Sequence, residues 1–477
     1  MGKMTVFVLI VEDEADFSDE LVQVFAELDQ PIQTRVVKSR DSAFAAIENE
    51  YFDLIVLDLK IPTIDGALDA EPAHGHSVFA RARLGAAGTP IFVLTGSPSE
   101  DFIPAMLASA QQVDVWGEGR TVGTIDFLQK YKFEECPQKL GPIVTAIHRL
   151  SDVELSRGGV NLSIPEERLV RIFARKFGGT RCAVSRLGGG LSGAKVLRLK
   201  ITDRNGTVVH DAVGKLGSPS EISDEASRFD KFVARLDPHA TPRKLATLEF
   251  GAGALAGVFY GLAAGFEASA FEAAKKEDEL AATAVRGIAN ATANWSKGVP
   301  ESSRKIMDIR RRVLSDDSFR SVTETFEIAW VTQFEDTKVQ TRWCCVHGDL
   351  HGSNALVSDT GAAVLIDYGD VGEGTASLDP ITLELSTIFH PQGVERGTWP
   401  TLDQAAQWGD LDVYLLGCPF AAFVRECRAW ADAVGAGQRE IAATAYAYLI
   451  RQLKYEDTDK NLILALIKGV KNYYDKT

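Results

Sequence analysis

Three short runs near the amino terminus, TVFVLIV, DLIVLDL and PIFVLTG, are β-branched and almost unbroken in apolar character. A strand with one wet face alternates polar and apolar residues, so runs of this kind belong to strands covered on both faces, as in a parallel sheet between helices. SDELVQVFAEL and SRDSAFAAIENE, which lie between the first two runs, keep helical spacing. The order βαβα predicts an α/β domain with a doubly wound parallel sheet, whose ligands sit beyond the carboxyl ends of the strands. That rim collects the acids: Glu12 and Asp13 follow the first run and Asp58 ends the second, while Thr95 ends the third and Lys130 follows IDFLQ. Three carboxylates at one rim repel unless a divalent cation joins them, and hard oxygen ligands suit Mg²⁺.

Over residues 4 to 150 these features resemble the response-regulator receiver family, with its flavodoxin-like fold. The resemblance implies that Asp58 is the phosphoacceptor, that Asp13 ligates Mg²⁺ directly and Glu12 through water, and that Asp58 completes the metal site. It further implies that Thr95 and Lys130 contact the phosphoryl group, that Phe127 is the aromatic switch, and that a sensor histidine kinase is the phosphodonor. The physical logic agrees, because a carboxylate attacks phosphorus while metal and lysine neutralise the transferring group. Two departures stand out. Tyr131 replaces the proline usual after the lysine, and the stretches from Asp58 to Thr95 and from Thr95 to Lys130 are longer than usual. His74 and His76, in DGALDAEPAHGH, are expected in a solvated loop, with metal ligation as the alternative.

The boundaries predicted are a receiver at 1–150, a linker at 151–163, a small lobe at 164–272 and a large helical lobe at 273–477. Ser163, Pro165 and Glu166 form a capping pattern for the helix PEERLVRIFARKFG, which stops at Gly178 and Gly179. Two strand-like runs then flank Gly188, Gly189, Gly190, Ser192 and Gly193, and the turn DRNG leads to a third. Glycines let backbone N–H groups approach anionic oxygens closely. Lys215 falls in the strand-like run HDAVGKLG; it either snorkels to solvent or reaches inward to phosphates, held by an acid of the next helix. Glu225 is the chosen partner and Glu221 the rival.

Further on, CCVHGDLHGSNALVSDTGAAVLIDYGD reads as strand, polar loop, strand, the turn SDTG, and a strand ending in Asp367. A hairpin of this length brings the loop from Asp349 to Asn354 beside Asp367. An acid for a substrate hydroxyl, with an amide and a second acid for Mg²⁺, is what phosphoryl transfer from a nucleotide requires. The segment resembles the aminoglycoside phosphotransferase and choline-kinase branch of the protein-kinase-like fold, an α+β bilobal architecture, over residues 165 to 477. The resemblance implies ATP as donor, Asp349 as the residue that takes or orients the hydroxyl proton, and Asn354 and Asp367 as Mg²⁺ ligands. It also implies Lys215 on the α- and β-phosphates, Glu225 orienting Lys215, phosphate contacts from the loop at Gly188 to Gly193, a hinge near Tyr260 to Ala264, and His347 as a brace for the loop. The role of His351 stays open. Asp379 and Glu384 are expected to cap and anchor helices. After residue 400, apolar residues recur three and four apart in what should be amphipathic helices. There Asp403, Asp410, Asp412 and Glu426 are expected to be solvated rather than to bind a cationic acceptor.

Composition removes several classes. Of 477 residues 45% are apolar and 25% charged, which suits packed domains rather than disorder. Residues 1 to 155 hold 25 acids against 12 lysines and arginines, the remainder 41 against 39, and no basic stripe is present, so a nucleic-acid partner is not expected. The six cysteines have no ligand spacing, and a reducing cytoplasm fits them. FGAGALAGVFYGLAAGF, residues 250 to 266, is too short and too rich in glycine to span a membrane and is expected to form buried strands and a turn. Two readings of different class follow. One is a response regulator whose output is an ATP-dependent phosphotransferase for a hydroxyl acceptor of unknown identity. The other is a nucleotide-binding scaffold without transfer activity, switched by the receiver. A homodimer through the receiver is a further expectation.

Overall fold

The computed structural model describes residues 4–96, 102–187, 195–236, 241–262, 265–326, 328 and 330–477. The chain forms two compact units, one of residues 1–223 with 244–262, the other of 224–243 with 263–477. The glycine-rich loop expected at Gly188, Gly189, Gly190, Ser192 and Gly193, and Ala263 and Ala264 of the expected hinge, lie outside the described residues.

The first unit opens with the sheet that the apolar runs predict. Strands β1 (Val6–Val11), β2 (Ile32–Val37), β3 (Leu54–Leu57), β4 (Ile91–Thr95) and β7 (Ile125–Gln129) pair in parallel in the order β2-β1-β3-β4-β7. Helices α1 (Ala15–Ala26), α2 (Arg40–Asn49), α3 (Pro72–Gly85), α4 (Phe102–Ala108) and α5 (Cys136–His148) connect and cover it. The excess length between Thr95 and Lys130 is a two-strand excursion, β5 (Gln112–Val113) paired with β6 (Val122–Gly123). One expectation fails here: His74 and His76 lie on α3, not in a loop. Gly75 permits this, because a Cβ at that position would fall 2.2 Å from the carbonyl oxygen of Leu59. His74 Nδ1 lies 2.9 Å from the Ile61 carbonyl, and the His76 ring stacks on Phe102.

The same unit continues into a second sheet, in the order β12-β13-β11-β10-β9-β8: β8 (Glu154–Ser156), β9 (Arg181–Arg186), β10 (Lys195–Thr202), β11 (Val208–Gly217), β12 (Arg243–Leu248) and β13 (Ala256–Gly261). The segment expected to be a linker at 151–163 therefore contributes a strand, because β8 pairs in parallel with β9. Helix α6 (Ile164–Lys176) begins as its sequence predicts, with the Ser163 N–H donating to Glu166 Oε2 at 2.7 Å, and the chain leaves it at Gly178 with φ +73°. The run 250–266 supplies β13, and among the described residues no helix is long and apolar enough to cross a membrane.

No boundary in packing separates the two sheets of this unit. Val8, Ile10, Phe92, Leu140, Val144 and Ile147 share one buried apolar cluster with Leu169, Phe173, Leu199 and Phe259. Polar contacts close the junction. Arg168 of α6, 2% exposed, donates through Nε to Asp53 Oδ1 at 2.7 Å and through Nη2 to Asp53 Oδ2 at 3.0 Å and the Thr5 carbonyl at 2.7 Å. Tyr51 Oη donates to the same Asp53 at 2.7 Å. The Gly88 N–H bonds the Gly253 carbonyl while the Gly251 N–H bonds the Gly88 carbonyl, both at 2.8 Å; φ values of +89° at Gly251 and +66° at Gly253 need glycine. The β5–β6 excursion adds buried Trp116, and Glu118 Oε1 accepts from Arg175 of α6 at 2.6 Å.

In the second unit, strands β15 (Glu301–Lys305), β16 (Lys338–Val346) and β19 (Gly372–Thr375) form one antiparallel sheet, and β14 (Ala268–Ser269), β17 (Ala355–Val357) and β18 (Ala363–Leu365) another. The helix Asp278–Ser296 packs on Ala421–Val434, which also meets Leu378–Phe389; Gln438–Gln452 packs on Lys460–Lys476. The three amphipathic helices expected after residue 400 are thus present.

Arg168→Ala leaves Asp53 without its cation in a site that water does not reach. Removing one partner of a buried pair costs about 3–5 kcal/mol, so urea titration should give a lowered midpoint, and the receiver and β9–β13 sheets should unfold in one transition.

Candidate functional sites

At the carboxyl end of the parallel sheet, β1 ends before Glu12 and β3 before Asp58, which is why these side chains share a rim. The Glu12 N–H is held by the Val37 carbonyl and that of Asp58 by the Val11 carbonyl, so backbone pairing sets both positions. Lys130 leaves the end of β7 and reaches Asp58 Oδ2 at 2.7 Å and both Glu12 oxygens at 2.9 Å. Its ammonium also lies 4.4 Å from the centre of the Phe17 ring. Glu12, Asp13 and Asp58 each offer an oxygen within 4.8 Å of the others. Burial first, then the charge of Asp58, pushes the Glu12 carboxyl up to about 7; burial also raises Asp13. Asp13 Oδ1 is buried and meets no hydrogen-bond donor. A crowded, partly protonated acid cluster with an unpartnered oxygen fits a divalent cation. Thr95 is fully buried at the end of β4, and Phe127 is half-buried on β7.

In the second unit the hairpin of β17 and β18 brings the loop from Asp349 to Asn354 beside Asp367. β17 and β18 pair with Ala355 opposite Leu365, and the Ile366 N–H donates to the Asn354 carbonyl at 2.9 Å. Asn354 and the residue before Asp367 are therefore hydrogen-bonded neighbours. Asn354 Nδ2 donates to the Asp349 carbonyl at 2.9 Å, which leaves its amide oxygen as the end suited to a cation. Asp367 has φ +64°, the sole non-glycine residue with positive φ among the described residues. Such a conformation costs on the order of 1–3 kcal/mol and persists where surroundings over-determine it.

Asp379 fixes the other arm of this loop, ahead of Asp349. It is 3% exposed, and its two oxygens accept the N–H groups of His347 at 2.7 Å and Gly348 at 2.9 Å, immediately before Asp349. Burial raises its carboxyl while His347 and those two N–H groups pull it down. It anchors the loop rather than a helix. Gly348 has φ +85°, and a Cβ there would lie 2.4 Å from the Asp370 carbonyl oxygen. His347 braces the turn as expected, with Nε2 3.1 Å from the Ile366 carbonyl. Glu384 accepts from Trp408 Nε1 at 3.0 Å and Arg428 Nη2 at 2.9 Å, a buried anchor. Asp410, Asp412 and Glu426 are engaged by the Val413 N–H, Arg425 and Arg286.

Asp349 itself has company that the motif does not announce. Arg451, near the end of the helix Gln438–Gln452, places Nη1 3.4 Å from Asp349 Oδ1, and His351 Nε2 lies 3.8 Å from Oδ2. The distance of 102 positions between Arg451 and Asp349 left no local signal. In the first unit Lys215 lies on β11, 9% exposed, and Glu221 is spent on the Ser218 N–H and hydroxyl at 3.0 and 2.8 Å. Glu225, in the second unit, is 2% exposed.

Two family models match the chain: the response regulator receiver domain over residues 8–115 and the phosphotransferase enzyme family over 184–396. No curated protein matches it. Solved structures similar to it include an aminoglycoside-3'-phosphotransferase of type VIII, 16% identical over 61% of this chain and 100% of that one, TM-score 0.38. Another is a thermostable mutant of aminoglycoside phosphotransferase APH(4)-Ia in a ternary complex with ADP and hygromycin B, 13% identical over 65% and 94%, TM-score 0.36. A third is the receiver domain of a sensor histidine kinase from Pseudomonas aeruginosa PAO1 with magnesium in its cleft, 17% identical over 28% and 97%, TM-score 0.20. The five-stranded parallel sheet and the kinase-like elements that follow it agree with the two family models, and the chain joins a response regulator receiver domain to a domain of the phosphotransferase enzyme family.

Proposed function

We propose that this chain is a two-component response regulator whose output is an ATP-dependent phosphotransferase for a hydroxyl acceptor, controlled by phosphorylation of Asp58. The observation that carries the reading is the hairpin that seats Asn354 against the backbone of both Asp349 and Ile366, with Asp367 held in the left-handed conformation. In this reading Asp349 takes the proton of the acceptor hydroxyl as its oxygen bonds the γ-phosphorus and the bond to ADP breaks. Asn354 and Asp367 would hold Mg²⁺, which neutralises the transferring charge. Lys215 would hold the α- and β-phosphates.

At the receiver, Glu12, Asp13 and Asp58 would hold Mg²⁺ while Asp58 takes a phosphoryl group from a sensor histidine kinase. Lys130 and Thr95 would then contact that group, and Phe127 would respond to the movement of Thr95. Lys130 now bonds both Asp58 and Glu12, so a phosphoryl group on Asp58 gives it a new partner. The continuity of the receiver core with α6 and the β9–β13 sheet supports a path by which such a change reaches the output.

γ-Labelled ATP, Mg²⁺ and cell extract test the assignment: label should pass to an acceptor with the wild type, and Asp349→Asn should lower transfer by roughly 10²–10⁴-fold. Equal transfer by both would refute the role of Asp349. Acetyl phosphate should add one phosphoryl group to the wild type and none to Asp58→Asn, as read by mass spectrometry, and should change nucleotide turnover or oligomeric state only in the former.

Glu12 gives a pH dependence. Its folded pKa of about 7 exceeds the ordinary 4.5, so the stability it contributes is full below 4.5 and is lost as pH rises through 7. Mg²⁺ should compensate for the repulsion that appears, so the rise in melting temperature on adding Mg²⁺ should be larger at pH 8 than at pH 6, and Glu12→Gln should flatten that difference.

A further inference from the structure

The acceptor side of Asp349 carries a cation that the phosphotransfer chemistry does not use. Arg451 Nε donates to Tyr455 Oη at 3.2 Å and Nη1 to Asp349 Oδ1 at 3.4 Å, which fixes the plane of the guanidinium. Nη2 has no partner among the described residues and is not sealed from solvent. The Arg451 side chain is 22% exposed and that of Asp349 31%, so both reach the same open space. Burial opposes the guanidinium charge, but Asp349 and Tyr455 outweigh it and raise its pKa, so Arg451 stays protonated.

The other groups here do not offset that charge. The rings of His351 and His390 lie 4.2 Å apart; burial lowers the pKa of His351, and burial with the neighbouring His351 lowers His390 to about 4. An imidazole carries no negative charge in either protonation state, so neither ring can neutralise the guanidinium. Asp349 is the carboxylate that faces Arg451, and the proposed reaction gives Asp349 the hydroxyl proton. An acceptor whose hydroxyl reaches Asp349 must then place its neighbouring atoms against the free edge of a guanidinium. A cationic amine there meets like charge, whereas a carboxylate or phosphate accepts charge-assisted N–H bonds from Nη2.

Resting on the reading of Asp349 as the acid that faces the acceptor, we infer that Arg451 is a specificity residue and that the acceptor is a small hydroxylated oxyanion, an alcohol carrying a carboxylate or phosphate close to the hydroxyl.

Four matched probes test this with the full chain: sn-glycerol 3-phosphate, D-glycerate, glycerol and choline, each assayed for label transfer from ATP·Mg²⁺ and, by calorimetry, for binding beside a non-hydrolysable ATP analogue and Mg²⁺. One or both oxyanions should bind roughly ten- to a hundredfold more tightly than glycerol and choline, and which of the two prevails separates phosphate from carboxylate. Arg451→Gln should erase the preference and Arg451→Lys should restore part of it, each variant checked for an unchanged melting transition. Equal or tighter binding of glycerol or choline, a preference that survives Arg451→Gln, or no binding of any probe would overturn the inference. So would an equal gain in turnover of all four probes in Arg451→Gln, which makes Arg451 a brake on Asp349 and nothing more. If the oxyanions bind in an Arg451-dependent manner yet no label moves, the anion site stands and the phosphotransferase reading fails.

Discussion

Arg168 leaves the first turns of α6 and closes on Asp53 with two N–H bonds, and neither side chain sees water. A charge without solvent must have a partner, so this pair ties the starts of β1 and β3 to helix α6. The apolar cluster around it draws residues from both sheets, which makes the front of the chain one folding unit. The same constraint recurs in the second unit. Asp379 is satisfied by two backbone N–H groups, Glu384 by Arg428 and Trp408, and Glu440 by the N–H groups of Arg342, Ser377 and Ala436. Each of these acids is buried where a loop has to be held against a helix.

The consequence for chemistry is a division between what is shaped and what is poised. His347, Gly348 and Asp379 are locked together by short bonds, and the hairpin of β17 and β18 is rigid by pairing. Asp349, Arg451 and Lys130 sit in longer or competing ion pairs that an incoming ligand can exchange. In the receiver rim, Glu12 and Asp58 share one ammonium, and burial together with the charge of Asp58 makes Glu12 keep its proton to higher pH than an ordinary carboxylate, although Lys130 pulls the other way.

How much of this the sequence discloses depends on whether the interaction is local. The parallel strands, the capping box at Ser163, the hairpin across SDTG and the rim residues Glu12, Asp13, Asp58, Thr95 and Lys130 follow from period, turn chemistry or spacing, and their elements are where those signals put them. Three features did not follow. The stretch 151–163 reads as polar connecting chain, yet Glu154–Ser156 extends a sheet, because its hydrogen bonds go to β9, a strand still to come. Residues 65–76 read as a loop because proline, glycine and acids dominate, whereas Pro72 at the first helical position starts α3. Arg451 lies a hundred positions from Asp349 on a helix that looks like any other amphipathic segment.

The excursion of β5 and β6 gives the receiver a history as well as a shape. Free-standing regulators of this architecture can in principle be shuffled among outputs by recombination at a connecting segment, because nothing but the connector is shared. Here Trp116 and Glu118 are already committed to α6. A donor module lacking that arm and the acid at position 53 would arrive with a hydrophobic socket unfilled and an arginine stranded, so an exchange of receivers has to carry both along.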